Sequence, residues 1–223
     1  EPQVVKNADL VLTNSEFFED FCKQYNSNSY MVGQGCDVSL FNDEDDNIII
    51  PDVFKDIPLP VFGYVGSLTT LRLDIELLEF VAEQKKDWSI VLVGPEDEDF
   101  KNSNLHNMSN VYFLGRKEAS ELPNYVKGFD VATNPQLKNN LTIGNYPRKI
   151  DEYLAMGKPV VATNTKAMEM FKEHVYLANT KEDYVTLIDK AMAENSKIRV
   201  KNRIEYAKSH TWTNNVKAIY DSI

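Results

Sequence analysis

Six short apolar runs lie between residues 61 and 178, and none of them alternates regularly with polar residues. Helical patterns separate most of the runs. Strands that are apolar on both faces are typical of a parallel sheet covered by helices on both sides. The sequence therefore predicts a doubly wound, Rossmann-like α/β domain whose parallel sheet has about six strands. The predicted strands are residues 61–66, 89–94, 111–115, 131–134, 159–163 and 175–178, and the predicted helices between them are residues 71–85, 119–127, 147–156 and 165–172.

A smaller pattern precedes this domain. Residues 8–13 and 29–32 are predicted strands, and the helix between them, residues 15–25, begins at Asn14 or Ser15 as its capping residue. A glycine-rich and acidic linker follows at residues 33–47. The chain starts without an initiator methionine, and we expect it to be a piece of a longer protein that carries a remnant of a second domain.

Composition excludes several classes of protein. A net charge of −10 without a basic tract argues against general nucleic-acid binding, and a phosphate ligand would need a local cluster of cations. No apolar run approaches the roughly 20 residues that span a bilayer. Cys22 and Cys36 are too few and too far apart for a zinc knuckle or a redox pair. A reducing, cytoplasmic setting fits these counts.

Ligands of open parallel sheets bind at the carboxyl ends of the strands. Gly66 and Ser67 follow the first predicted strand, and Arg116 follows the third. The longest irregular loop, residues 135–146, follows the fourth strand and ends on Asn145 and Tyr146. A tight turn explains the glycine and a solvated surface charge explains the arginine equally well. The sequence contains neither a GxGxxG fingerprint nor a Walker loop.

Two cations, Arg148 and Lys149, begin the helix that follows this loop. A cation at a helix start is unfavourable by roughly 0.3–1 kcal/mol, unless an anion is bound there. Glu152 lies three residues after Lys149 and shares its face, which leaves a simple ion pair as an alternative. We interpret the group as a nucleotide clamp, with Lys149 at a diphosphate and Glu152 at the ribose hydroxyls. Pro147 and Gly157 mark the predicted start and end of the helix.

A series of motifs in register covers nearly the whole chain. They are "ADLVLTNSEFFEDF" with "VGQGCDVSLF", then "FGYVGSL", "VLVGP", "VYFLGRKEASELPNYVKGFDVATNP", "DEYLAMGKPVVAT" and "HTW". Together they resemble the C-terminal half of a GT-B glycosyltransferase of family 4.

The resemblance implies transfer of a sugar from a UDP- or GDP-sugar to a glycan or lipid-linked acceptor, in cell-surface polysaccharide synthesis. Lys149 and Arg148 would stabilise the leaving diphosphate without a metal ion or cofactor. Gly66, Ser67 and Arg116 would complete the donor nucleotide site together with Lys149 and Glu152. Asn145 and Tyr146 would belong to the loop that faces the donor sugar.

The family resemblance also divides the chain. It implies the end of an acceptor domain and a linker at residues 1–40, a nucleotide-sugar-binding domain at residues 41–207, and a helix at residues 208–223 that crosses back. We expect the isolated chain to bind nucleotide without turnover. The full-length protein would be cytoplasmic, and a lipid-linked acceptor would place it at the inner membrane face as a peripheral protein.

One departure keeps alternatives open. Many members carry two glutamates eight residues apart, and Glu152 matches the second, but Gly144 occupies the position of the first. The stretch resembles instead a P-x-K-x-x-E-Y variant of polysaccharide-building enzymes. A nucleotide-sugar epimerase of the same fold and an inactive homologue that serves as a binding subunit therefore remain alternatives. A receiver-type module is disfavoured, since Gly-Ser and Gly-Pro follow the first two strands where acidic residues would be needed.

Overall fold

The computed structural model describes residues 1–222, and its centre is a six-stranded parallel sheet preceded by a two-stranded one. Ile223, the last residue of the predicted crossing helix, lies outside the described residues. The strands are β1 (Val11–Thr13), β2 (Ser29–Met31), β3 (Val61–Val65), β4 (Ser89–Val93), β5 (Val111–Phe113), β6 (Val131–Asn134), β7 (Val160–Thr163) and β8 (Tyr176–Ala178).

The large sheet has the strand order β5-β4-β3-β6-β7-β8, and all of its neighbouring strands are parallel. This confirms the predicted doubly wound α/β fold and all six predicted strands. The direction of strand addition reverses between β3 and β6. Loops after these two strands diverge from that point, and the crevice between them is where open α/β sheets bind ligands.

Helices cover both faces of the sheet and explain why the strands do not alternate. Val61 and Val65 of β3 pack into one core layer, while Phe62 and Tyr64 pack into the other. The helices are α1 (Pro2–Asn7), α2 (Glu16–Lys23), α3 (Ile75–Gln84), α4 (Glu98–Lys101), α5 (Leu122–Lys127), α6 (Lys149–Ala155), α7 (Lys181–Ala193), α8 (Lys197–Ser209) and α9 (Trp212–Asp221). Shorter 3₁₀ turns occupy Asp52–Asp56, Asn104–Asn107, Ala119–Glu121 and Lys166–Phe171.

The boundaries of α6 differ from the prediction at its start. Pro147 precedes the helix, Arg148 is its capping residue, and the helix proper has only seven residues. Its end agrees with the prediction: Gly157 has φ +65° and Lys158 N–H donates to the Tyr153 carbonyl at 3.0 Å, which is the Schellman arrangement. A helix of two turns has a weak dipole, so any anion site here depends on side chains. The predicted helix at residues 165–172 is a 3₁₀ turn.

The N-terminal segment forms its own β1-α2-β2 unit, with β1 and β2 paired in parallel. Ser15 caps α2, as predicted, by accepting a hydrogen bond from Phe18 N–H. The unit is tied to α9 through Asn215, whose Nδ2 donates to the Val32 carbonyl at 2.6 Å. The Cys36 N–H likewise donates to the His210 carbonyl at 2.7 Å. These contacts bring the linker and the last helix together beside the carboxyl edge of the large sheet.

Candidate functional site

A cavity of about 620 Å³ opens at the switch point between β3 and β6. Its floor is formed by the loops that follow these strands and by the first turn of α6, and the linker and Trp212 form an outer wall. Trp212 packs so closely over Gly35 that a methyl group there would lie 2.3 Å from its ring. Sequence reasoning thus placed the candidate site at the edge of the sheet where this cavity opens, but it missed the contribution of the linker and α9.

The glycine turn after β3 is held against the turn after β4. Gly66 N–H donates to the Val93 carbonyl at 2.9 Å, and a Cβ on Gly94 would lie 1.8 Å from the Gly66 carbonyl oxygen. Both glycines have positive φ, +144° and +155°. The Gly66 amide is thus engaged within the protein. Ser67 is exposed and does not line the cavity, so of the described residues in this predicted phosphate turn only Gly66 does.

Lys149 extends from α6 across to β3. Its Nζ lies 3.0 Å from the Tyr64 hydroxyl and 4.7 Å from the centre of that ring. Below it, the fully buried Tyr153 accepts a hydrogen bond from Val65 N–H at 2.8 Å. These contacts fix α6 to the carboxyl end of β3 and hold the ammonium group beside Gly66. Sequence analysis did not select Tyr64, because its strand is uniformly apolar. The tyrosine itself was the available signal, since a buried tyrosine hydroxyl usually needs a hydrogen-bond partner.

Glu152 pairs with Arg148 rather than with Lys149. The Arg148 Nε lies 3.1 Å from Glu152 Oε1, and the Glu152 side chain is only 14% exposed. Burial raises the pKa of the Glu152 carboxyl above its usual range, and the neighbouring charges of Arg148 and Lys149 oppose that rise. The ion pair considered as an alternative for Lys149 and Glu152 is therefore not formed.

Arg72 is a further cation in the cavity that sequence reasoning did not select. It lines the cavity with Arg148 and Lys149, and the acidic side chains on the lining are Asp37 and Glu152. Within residues 1–222, neither Arg72 nor Lys149 forms an ion pair with a side-chain carboxylate. In a chain of net charge −10, a cavity with three cations and two carboxylates is a local exception. The only sequence signal for Arg72 was its place in the loop after the first strand.

The remaining predicted residues divide into two groups. Asn145 and Tyr146 line the cavity, but the Tyr146 hydroxyl donates to Asp151 Oδ2 at 2.5 Å and is thereby occupied. Arg116 is exposed after β5, and it is not among the described residues that line the cavity. The structure thus brings Gly66, Lys149 and Glu152 together with Asn145 and Tyr146, and leaves Ser67 and Arg116 outside.

Gly144 is buried beneath the N-terminal unit, which explains the absence of a side chain there. A Cβ on Gly144 would lie 2.1 Å from Phe17 Cδ1 of α2, and the Ser15 hydroxyl donates to the Gly144 carbonyl at 2.7 Å. Phe17 therefore occupies the space that a side chain at residue 144 would need. The loop that ends at α6 is positioned by α2 instead of by a glutamate.

We expect Gly144→Ala to lower the free energy of unfolding by about 1–3 kcal/mol, because the added methyl group overlaps the Phe17 ring. Urea unfolding of the single variant, of Phe17→Ala and of the double variant measures the effect. In the Phe17→Ala background, Gly144→Ala should cost much less. An equal cost in both backgrounds would show that the overlap is not the cause.

A model of the family described as "Glycosyl transferases group 1" matches residues 59–194, more than half of the chain. The chain belongs to this family. The match spans β3 through α7 and contains Gly66, Arg72, Lys149 and Glu152. Its fold is that of the GT-B glycosyltransferases, as the resemblance implied.

Relatives of this group 1 chain are longer. The "Putative teichuronic acid biosynthesis glycosyltransferase TuaH" of Bacillus subtilis is 26% identical over 225 residues, which are 95% of this chain and 56% of that protein. Sucrose-phosphate synthase from Thermosynechococcus elongatus superposes with a TM-score of 0.78 at 19% identity, covering 97% of this chain and 58% of the other. The structure of Anabaena HepE in complex with UDP and glucose superposes with a TM-score of 0.75 at 19% identity, covering 96% of this chain and 62% of the other. The chain thus spans little more than half of each.

Residues 1–222 of this family member contain no group of three or more histidine, cysteine, aspartate or glutamate side chains arranged to hold a metal ion. No helix in that part of the chain has the length and apolar character that crossing a bilayer requires.

Proposed function

We propose that this chain is the donor-binding half of a glycosyltransferase. The enzyme would transfer a sugar from a nucleoside diphosphate sugar to a glycan or lipid-linked acceptor in cell-surface polysaccharide synthesis. The observation that carries the proposal is the convergence of Lys149 and Arg72, both without a carboxylate partner in the described residues, on the cavity at the switch point. Two such cations suit the two phosphates of the donor. Family membership and the complex of HepE with UDP and glucose favour a UDP-sugar.

In this proposal the protein acts on the leaving group. Negative charge grows on the diphosphate as the bond to the sugar breaks, and preorganised cations stabilise that charge more in the transition state than in the bound donor. Lys149 is the principal group because Tyr64 and Tyr153 hold it in place, and Arg72 and Arg148 assist. The charge of the diphosphate is balanced by side chains, without a resident metal ion.

Glu152 takes the ribose in the same proposal. Its carboxylate lies in the cavity with one oxygen, Oε1, accepting from Arg148 and the other available as an acceptor for ribose hydroxyls. The three regions of the chain would then have separate tasks. Residues 41–207 hold the donor, residues 1–40 continue into an acceptor domain, and residues 208–223 join the two. The ties of Asn215 to Val32 and of Cys36 to His210 support that division.

The proposal is tested by calorimetric titration of this chain with UDP, GDP, ADP and inorganic phosphate, with Mg²⁺ and again with a chelator. We expect UDP to bind, phosphate alone to bind far more weakly, and the chelator to leave the affinity unchanged. Absence of binding by all three nucleotides would contradict the donor-site assignment.

The raised pKa of Glu152 gives the proposed site a pH dependence. A protonated carboxyl is a weaker acceptor by about 1 kcal/mol, so the affinity should fall roughly fivefold as the pH drops through the Glu152 pKa. Because burial raises that pKa, the fall begins at a higher pH than for an exposed glutamate. UDP-glucose is the probe, since its diphosphate diester does not titrate in this range. Glu152→Gln should remove the step, and a step that persists in this variant would assign it to another group.

A further inference from the structure

A cluster of buried side-chain amides without partners lies at the carboxyl end of β6. Gln136 is 4% exposed and its Oε1 makes no hydrogen bond, and neither polar atom of the fully buried Asn134 side chain makes one within residues 1–222. Buried polar groups are nearly always paired, so two unpaired amides call for an explanation such as a ligand that is absent. The mechanism above uses neither residue.

Gln136 lines the candidate donor cavity together with its cations. The loop after β6 runs antiparallel to the loop after β3, with Leu137 N–H donating to the Arg72 carbonyl at 2.8 Å and Asp74 N–H donating to the Pro135 carbonyl at 3.0 Å. Gln136 therefore lies opposite Leu73, the next residue after Arg72, and it lines both the main cavity and a smaller one of about 290 Å³.

We propose that Gln136 recognises the sugar of the donor, by hydrogen bonds from its amide to the hydroxyls of an uncharged hexose. This inference rests on the proposed function and names the substrate class of the same site. In a nucleoside diphosphate sugar, the hexose is joined directly to the phosphate that the cations hold, so a polar side chain on the wall of the same cavity is placed for the sugar. A neutral amide both donates to and accepts from hydroxyl groups.

The arrangement at Gly144 supports the same assignment. Gly144 is buried against Phe17 and offers no side chain to the sugar, and the Tyr146 hydroxyl is bound to Asp151. Asn145 is then the polar side chain that this loop still presents to the cavity, and Gln136 adds an amide from another part of the wall. The Gln136 amide is neutral, and the cations that line the main cavity are already assigned to the diphosphate and to Glu152, which is why we assign an uncharged sugar.

The test is the ratio of two dissociation constants, for UDP and for a UDP-hexose, measured on the wild type and on Gln136→Met. The hexose is whichever of UDP-glucose, UDP-galactose and UDP-N-acetylglucosamine the wild type binds most tightly, with UDP-glucuronic acid as the charged comparison. Methionine keeps the volume and removes the hydrogen bonds. We expect the preference for UDP-hexose over UDP to fall about five- to tenfold, while the melting temperature stays level or rises because an unpaired buried oxygen is removed.

Thr165→Val is the matched control. The Thr165 hydroxyl is also buried and unpaired within the described part of the chain but does not line the cavity, so its removal should leave the ratio unchanged. Gln136→Leu gives the same readout if the methionine variant does not fold. If a folded Gln136 variant still binds UDP and keeps the wild-type preference for UDP-hexose over UDP, this inference alone is overturned. Tighter binding of UDP-glucuronic acid than of the UDP-hexoses by the wild type would also overturn it. A wild type that binds none of UDP, GDP, ADP and the UDP-sugars would instead overturn the proposed function.

Discussion

Asp151→Ala should destabilise the protein by about 3 kcal/mol, or roughly 6–12 °C in melting temperature for a chain of this size. Asp151 is fully buried on α6, with Oδ1 2.9 Å from His210 Nδ1 and Oδ2 2.5 Å from the Tyr146 hydroxyl. Alanine would leave both partners without their acceptor and open a void between α6 and the turn before α9. Thermal and urea unfolding measure the loss.

Two further variants show whether the hydrogen bonds or the charge carry this effect. Burial raises the pKa of the Asp151 carboxyl, against the opposing hydrogen bonds from His210 and Tyr146. Asp151→Asn keeps the shape and an acceptor, so we expect it to lose less than half as much. Asp189→Ala removes an exposed acid that pairs with Lys85, and its cost should stay below about 1 kcal/mol. Equal losses for Asp151→Ala and Asp189→Ala would contradict the assigned role of the buried network.

Lys149→Ala should weaken UDP binding by about 1.5–3 kcal/mol, which is roughly ten- to a hundredfold in the dissociation constant. The ammonium group lies beside Gly66 and is held by Tyr64, so its removal takes away a charge-assisted contact that the folded protein has already oriented. The variant should stay folded and lose about 1 kcal/mol of stability, because it gives up the contacts with the Tyr64 hydroxyl and ring but breaks no ion pair with a side-chain carboxylate of residues 1–222.

Lys138→Ala is the control for net charge. Lys138 is exposed on the loop after β6, outside the main cavity, and its removal changes the total charge by the same amount. We expect its UDP affinity to remain within about twofold of the wild type, since exposed charges are screened by salt. If the two lysine variants lose the same UDP affinity, the effect of Lys149 comes from the net charge of the protein. A direct contact between Lys149 and UDP would then be contradicted.

The fold was predictable from the sequence because the parallel sheet is buried on both faces. That burial makes each strand a continuous apolar run, and Val61, Phe62, Tyr64 and Val65 are buried in two different layers. The helix bounds were less predictable. Residues 165–172 have an apolar spacing that suits a helix, yet they form a 3₁₀ turn that packs under α2.

The site was predictable only where local sequence sets it. Lys149 and Glu152 were found because two cations at a helix start are anomalous, and Gly66 because it ends a strand. Arg72 reaches the cavity through a pairing between two loops that are distant in sequence, and this pairing leaves no local signal. The same is true of Gly144, whose missing side chain reflects the approach of Phe17 from a distant part of the sequence.

The most direct test of the donor-site assignment is an amide chemical-shift map of the ¹⁵N-labelled chain titrated with UDP. We expect the largest perturbations at the turn after β3, at Arg72 and Gln136, and in the first turn of α6, with little change at the amino-terminal edge of the sheet. Perturbations centred on that opposite edge, or none at millimolar UDP, would contradict the account.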